Sequence, residues 1–131
     1  MCGYLGHISK NSISDIDYNK TNEQLICRGP DEKKEIIRDK NHKRNLLSYC
    51  LIFNRLAIID LSDLASQPMS SKEFGTELVF NGEIYNHSQL REQLKKIGIK
   101  FFSNHSDTEV VLNGLSYYGK KFLNKMIGQF S

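Results

Sequence analysis

Hydrophobic residues in the first eighty positions fall in short clusters that are typical of β-strands. Residues 4–8 form the first cluster and contain a glycine, which predicts a strand that another backbone segment approaches closely. The longer apolar run at 46–59 predicts either one buried strand or two strands around a bend, with Asn54 and Arg55 inside it. A further strand is predicted at 77–80.

The spacing of hydrophobic residues becomes helical after residue 86. Three residues share one face of the predicted helix: Leu90, Leu94 and Ile97. Residues 86–88 supply capping side chains at its start, and Gly98 is expected to end it. The dipeptide Asn81-Gly82, which precedes this helix, predicts a tight turn.

A second predicted helix begins at Ser106 or Asp107 and ends before Gly119. Its apolar face carries Val111, Leu115 and Tyr118. A third apolar stripe at 122–127 predicts a short helix, whereas residues 99–103 and 128–131 have the composition of strands. Strands and helices without strict alternation predict an α+β fold, with helices packed on a largely antiparallel sheet.

Composition and charge fit one globular domain. The chain has 131 residues, of which 39% are hydrophobic and 25% charged, so it is expected to bury a core and to fold. The formal net charge is +3. Two charged clusters, at 31–35 and 40–44, lack interleaved aromatic residues and are expected to be solvated loops or edges, which argues against nucleic acid as a partner.

The cysteines indicate a reducing compartment. The chain has three cysteines, Cys2, Cys27 and Cys50, and an odd number that lie far apart argues against a disulfide framework. Their spacing matches no metal-binding motif, which argues against a zinc site. No segment resembles a signal peptide, and no apolar run approaches the ~20 residues of a membrane span. The expected location is the cytoplasm, with no membrane partner.

Cys2 has distinctive chemistry because of its position. If Met1 is removed, Cys2 carries both a thiol and a free α-amino group, which titrates near ~8 and can accept the proton of the nucleophile. Gly3 beside it leaves room for a substrate carbonyl. The alternative interpretation is chance, because a free cysteine often behaves as a small buried hydrophobic residue.

Five further polar positions suit a polar amide substrate that is also an amino acid. The Asn81 side chain and the Gly82 main-chain N–H can act as oxyanion donors. Arg55 suits a carboxylate, and Glu83 and Asp107 suit an ammonium group. The alternatives are surface ion pairs and, for Asp107, a helix cap. Composition alone does not bring these residues together.

Six segments carry a family resemblance through their order and spacing. They are MCG at 1–3, RGPD at 28–31, NRLAIIDLS at 54–62, SQPM at 66–69, FNGEIYNH at 80–87 and SDTEV at 106–110. Together they resemble the glutamine amidotransferase domain of glutamine-hydrolysing asparagine synthetases. Amidotransferases of glucosamine-6-phosphate, purine and glutamate synthesis share the opening MCG and an Asn-Gly motif, but the RGPD and NGEIYNH segments favour the asparagine synthetase branch.

The resemblance implies an N-terminal-nucleophile fold, an α/β/β/α sandwich of antiparallel sheets, incomplete at the carboxyl end. It implies that Cys2 attacks the side-chain amide of L-glutamine, that Asn81 and Gly82 hold the oxyanion, and that a thioester and ammonia form. Arg55 would bind the substrate carboxylate. The full set of implied glutamine contacts is Arg55, Ile59, Asn81, Gly82, Glu83 and Asp107.

Two substitutions and the length depart from the family pattern. Cys27 and Phe53 stand where the family commonly has histidine. The chain covers part of the glutaminase domain, over residues 1–131, and no synthetase domain. ATP and magnesium are therefore expected only in that missing domain, a possible partner of this chain, and no cofactor is expected here. The alternative hypothesis is a catalytically silent, truncated fragment.

Overall fold

The computed structural model describes residues 2–40, 47–56 and 66–131. The chain divides into two compact units, Met1–Asp60 and Leu61–Ser131. The first unit contains β1 (Gly3–Ser9), α1 (Asn19–Ile26), β2 (Glu32–Arg38) and β3 (Ser48–Arg55). The second contains β4 (Met69–Ser71), β5 (Thr76–Leu78), β6 (Gly82–Ile84), α2 (His87–Lys96), α3 (Asp107–Tyr118), a 3₁₀ helix (Gly119–Lys125) and β7 (Gly128–Phe130).

The first unit is built on a three-stranded antiparallel sheet in the order β1-β3-β2. The central strand β3 places Asn54 opposite Gly3 of β1 and Arg55 opposite Glu32 of β2. A small core is formed by Ile13, Cys50 and Ile52, against which Leu5 and Tyr18 pack. Because β3 is paired on both sides, its carboxyl end is held firmly between the two edge strands.

The structure assigns secondary structure to two polar segments of this unit. The segment at 11–24, which lacks an apolar pattern, contributes most of helix α1, whose one buried residue is the polar Asn22. The charged cluster at 31–35 lies largely within β2, an edge strand of the sheet, which agrees with the predicted edge and excludes a loop. In the apolar run at 46–59, the described residues form the single strand β3, and residues 57–59 lie outside the described ranges.

The second unit has a larger apolar core beneath its helices. Phe80, Ile84, Leu90, Leu94, Ile99, Val110, Val111 and Phe122 form this core. Ser106 caps α3 by accepting a hydrogen bond from the main-chain N–H of Glu109, as predicted for one of the two candidates. Gly98 and Gly119 adopt positive φ angles at the ends of α2 and α3, which confirms both predicted helix ends.

Four local predictions for this unit are wrong. Asn86, at the start of α2, makes no side-chain capping hydrogen bond, because its amide binds the main chain of Lys125 and Ile127. Asn81-Gly82 does not form a turn, because Gly82 begins β6 and pairs with β7. Residues 99–103 form no strand: Ile99 enters the core, whereas Phe102 is 89% exposed. Ile97, predicted to share the apolar face of α2, follows the helix and is 42% exposed. The predicted strand at 128–131 is confirmed as β7.

The fold is α+β, and every strand pair among the described residues is antiparallel. The layered sandwich implied by the family resemblance stays a prediction. In the described ranges, no helix is both long enough and apolar enough to cross a bilayer.

Gly114 of α3 provides a stability test because Phe122 packs directly against it. A Cβ at this position would lie 2.1 Å from Cε1 of the buried Phe122 ring. We expect Gly114→Ala to lower the free energy of unfolding by about 1–3 kcal/mol through overpacking, despite the better helix propensity of alanine. Thermal unfolding followed by circular dichroism measures the loss. In the control Gly6→Ala, the added Cβ meets only Leu51 Cδ2, at 3.8 Å. An unchanged melting temperature for Gly114→Ala would contradict this packing.

Candidate functional site

The Cys2 thiol lies at the carboxyl end of β3. The main-chain N–H of Leu56 donates to Cys2 Sγ with an N···S distance of 3.4 Å, and Sγ lies 3.9 Å from the Leu56 carbonyl oxygen. This follows from the register, because Gly3 pairs with Asn54 and brings the preceding residue to the end of the central strand. The sulfur is therefore held by main-chain groups of the residue that follows β3.

The three cysteines differ in their surroundings, and none forms a disulfide. Cys2 is partly exposed, and Cys27 is exposed just after α1. Cys50 is fully buried in the core. Burial raises the pKa of the Cys50 thiol, and the nearby Glu35 carboxylate adds to the rise, so this thiol stays neutral. Cys2 therefore combines access to solvent with a main-chain donor at its sulfur.

Arg55 ends β3 beside the same Leu56 main chain. Its guanidinium is largely buried, and its Nη1 lies 3.4 Å from Oε2 of Glu32, the residue opposite in the register of β2. A guanidinium has five N–H donors in a planar fork and can bind more than one carboxylate. The structure thus pairs the Arg55 guanidinium with a carboxylate across β2 and β3, and its role toward a substrate carboxylate stays a prediction.

A buried amide pair fastens α1 to the end of β3. Asn54 Nδ2 donates to Asn22 Oδ1 at 2.6 Å, and Asn22 Nδ2 donates to Asn54 Oδ1 at 3.3 Å. Arg28 Nε donates to the Cys2 carbonyl oxygen at 3.3 Å. Gly29 lies so close to β3 that an added Cβ would be 2.1 Å from the main-chain carbonyl oxygen of Asn54. The RGPD segment therefore packs against the main chain that supports Cys2.

In the second unit, the main chain of Asn81 is bound to Ser131. The N–H of each residue donates to the carbonyl of the other, both at 2.9 Å. Gly82 and Phe130 form the next antiparallel pair, in which the N–H groups point away from the partner strand. The Gly82 N–H consequently points away from β7. A side chain at Gly82 would collide with β7, because its Cβ would lie 2.2 Å from the Gln129 oxygen.

Asp107 lies on this same edge of β6. As the first residue of α3, it accepts a hydrogen bond at Oδ2 from the Ile84 N–H, 3.0 Å away. The N–H groups of Gly82 and Ile84 point in the same direction, since they are two residues apart on one strand. Glu83, between them, is exposed. The structure thus brings Asp107 to the strand that carries Gly82 and Glu83, and Ser106 takes the capping role.

Gln67, from the SQPM segment, fixes the main chain that leads into Asn81. Its side chain accepts from the Phe80 N–H at 2.6 Å and donates to the Phe80 carbonyl at 3.0 Å. Satisfying both main-chain groups of one residue with one buried amide holds that residue in a single orientation. No role had been predicted for this glutamine.

The predicted site residues fall into two groups, each within one unit. Cys2 and Arg55 lie at one end of the first sheet, and Asn81, Gly82, Glu83 and Asp107 lie on or beside β6. Ile59 lies outside the described residues.

The two departures from the family pattern are also placed. Cys27 is exposed, and Phe53 is buried in β3 two residues before Arg55. The resemblance implies that the main chain from Arg55 to Ile59 lines the glutamine pocket. It does not predict the hydrogen bond from the Leu56 N–H to Cys2 Sγ, since a main-chain donor has no side-chain signal.

Comparisons with known proteins cover the whole chain. The family model described as glutamine amidotransferase domain matches residues 1–131. The glutamine-hydrolyzing asparagine synthetase 1 of Bacillus subtilis is 32% identical over 136 residues, covering all of this chain and 20% of the relative. A probable glutamine-hydrolyzing asparagine synthetase of Schizosaccharomyces pombe is 36% identical over 138 residues, with 100% and 22% coverage. Amidase chry2 of Gibberella zeae is 35% identical, covering 88% of this chain and 16% of the relative.

These matches agree with the resemblance carried by the six sequence segments. The chain spans about a fifth of the length of the two synthetases, and the matched region of each covers this chain from end to end. The chain therefore belongs to the family of glutamine amidotransferase domains and is similar to those of glutamine-hydrolysing asparagine synthetases.

Proposed function

We propose that residues 1–131 form part of an amidotransferase domain that hydrolyses the side-chain amide of L-glutamine, with Cys2 as nucleophile. The ammonia is destined for an ATP-dependent synthetase domain or subunit. The observation that carries this proposal is the hydrogen bond from the Leu56 N–H to Cys2 Sγ, which holds a partly exposed thiol at the end of the sheet. Family membership supports glutamine as the substrate.

The reaction begins after Met1 is removed, because the freed α-amine of Cys2 then serves as the base. The thiol proton passes to this amine as sulfur bonds to the amide carbon of glutamine. The carbonyl electron pair moves to oxygen and gives a tetrahedral oxyanion. The Asn81 side-chain amide and the Gly82 N–H stabilise this charge, since the geometry of β6 directs that N–H away from β7.

Collapse of the intermediate breaks the carbon–nitrogen bond. The leaving nitrogen takes the proton from the α-amine and departs as ammonia, which leaves a thioester on Cys2. Water then adds to the thioester carbonyl, with the α-amine accepting its proton, and the carbon–sulfur bond breaks. Glutamate leaves, and the proton returns to the thiol.

Charged residues orient the substrate. Arg55 binds the α-carboxylate of glutamine, and Glu83 and Asp107 bind its α-ammonium group. The family resemblance also assigns Ile59 to glutamine binding. ATP and magnesium act in the synthetase domain, and no residue of this chain is assigned to them. We place the reaction in the cytoplasm, because three unpaired cysteines suit a reducing compartment.

Intact-mass spectrometry with 6-diazo-5-oxo-norleucine tests the proposal. This glutamine analogue alkylates nucleophiles that bind glutamine. We expect the purified protein to lack Met1 and to gain one adduct on Cys2, with ammonia release abolished in the same sample. The variant Cys27→Ser should gain the same adduct, because that thiol is exposed and lies outside the proposed site.

Two results would overturn the proposed function. Retained Met1 would leave the α-amine within a peptide bond and remove the base. A processed, folded protein that gains no adduct and releases no ammonia would instead be the catalytically silent form.

A further inference from the structure

A buried cation in the second unit holds the loop at 97–106, which connects α2 to α3 and precedes Asp107. Arg91 of α2 is 4% exposed. Its Nη1 donates to the Ser103 carbonyl at 2.6 Å and its Nη2 to the Ser106 carbonyl at 2.7 Å. The guanidinium carbon also lies 4.4 Å from the centre of the Phe101 ring. One side chain thus contacts this loop at three points.

Glu109 binds the same loop from α3. Its Oε1 accepts from the Phe102 N–H at 2.6 Å, and its Oε2 accepts from the N–H and Oγ–H of Ser103 at 2.9 and 2.5 Å. Arg91 Nη1 lies 3.9 Å from Glu109 Oε2, so the two buried charges face each other. Ser103 Oγ also accepts from the Ser106 N–H at 3.2 Å, which closes the network.

This network ends at Asp107. Ser106, whose carbonyl is bound by Arg91 and whose hydroxyl caps α3 through the Glu109 N–H, is the residue directly before it. Asp107 in turn reaches across to the Ile84 N–H of β6. A shift of the loop main chain would therefore move the Asp107 carboxylate relative to the edge of β6.

We propose that Arg91 and Glu109 are positioning residues for Asp107, and that together they set how strongly the site recognises the α-ammonium group of its substrate. This inference rests on the proposed function. Neither side chain needs to touch glutamine, because both act through the main chain of residues 102–106. The role requires the planar guanidinium, since a lysine ammonium cannot hold two carbonyls in the same fork geometry.

The test compares glutamine with glutaramic acid, the same molecule without the α-amino group. Ammonia release is measured for both substrates with the wild-type protein and with Arg91→Lys. We expect Arg91→Lys to raise the KM for glutamine about tenfold with little change in kcat, because a charge-assisted contact to the ammonium is weakened. For glutaramic acid, kcat/KM should change less than about twofold, because the contact is missing from the start.

Three further variants separate positioning from a general loss of structure. The quantity compared is the ratio of kcat/KM for glutamine to kcat/KM for glutaramic acid. Ser103→Ala removes one hydrogen-bonding side chain of the network and should lower this ratio as Arg91→Lys does, by a smaller factor. Lys95→Gln removes a cation from the exposed side of α2, where Lys95 pairs with Glu92, and should leave the ratio unchanged. In an Asp107→Asn background, Arg91→Lys should have no further effect on the KM for glutamine.

The possible failures are distinguishable. No ammonia from glutamine with the wild-type protein would overturn the proposed function, and this inference with it. Normal hydrolysis by wild type with equal losses on both substrates in Arg91→Lys and Ser103→Ala would overturn the inference alone. An undiminished effect of Arg91→Lys in the Asp107→Asn background would do the same.

Discussion

We expect Cys2→Ala to abolish glutamine hydrolysis, with kcat falling by at least about four orders of magnitude. Removing the group that forms the covalent intermediate leaves only the contribution of binding and oxyanion stabilisation. Neither remaining thiol can substitute, because Cys27 is exposed beyond α1 and Cys50 is buried and neutral. Ammonia release from glutamine measures the effect.

The matched control is Cys27→Ala, which removes an exposed thiol and should retain activity within about twofold. Thermal unfolding should show similar melting temperatures for both variants, since Cys2 is only partly buried. Activity of Cys2→Ala within a factor of ten of the wild type would disprove Cys2 as the nucleophile.

The second largest effect is expected for Asn81→Ala, with a loss in kcat of about 10²–10³-fold and little change in KM. This is the size measured when one oxyanion donor is removed from other acyl-transfer enzymes. The variant should fold normally, because the bonds that fix Asn81 to Ser131 involve only main-chain groups. Steady-state kinetics with glutamine separate the two parameters.

An exposed asparagine in the same unit, Asn124, provides the control, and Asn124→Ala should leave kcat unchanged. A rise in KM at constant kcat for Asn81→Ala would show that the side chain binds the ground state, and the oxyanion role would be wrong.

Secondary structure was predictable where an apolar pattern coincides with packing. The spacing of Leu90 and Leu94 predicts a helix that packs one face on the core, and Gly98 predicts where that helix ends. Helix α1 was missed because its buried residue is Asn22, whose hydrogen bonds to Asn54 replace an apolar contact. A polar residue that is satisfied by a partner distant in sequence leaves no periodic signal.

The candidate site was predicted by residue type and motif, and its local geometry was not. Asn81-Gly82 has the composition of a tight turn, yet pairing with residues 128–131 extends it as a strand. The partner segment is distant in sequence, so no local propensity could indicate the outcome. Glu109 lies within the SDTEV segment, but its role depends on three donors from a loop whose path the sequence does not describe.

The pairing of β6 with β7 has a consequence for the timing of synthesis. The ribosome adds about 5–20 residues per second, so several seconds separate the incorporation of Gly82 from that of its partner Phe130. All residues of the β1-β3-β2 sheet, by contrast, precede residue 56. A nascent chain can therefore arrange the strand end beside Cys2 while Asn81 and Gly82 still lack their partner strand. In the proposed mechanism, the oxyanion donors Asn81 and Gly82 are therefore fixed in place only after residue 131 has been added to the chain.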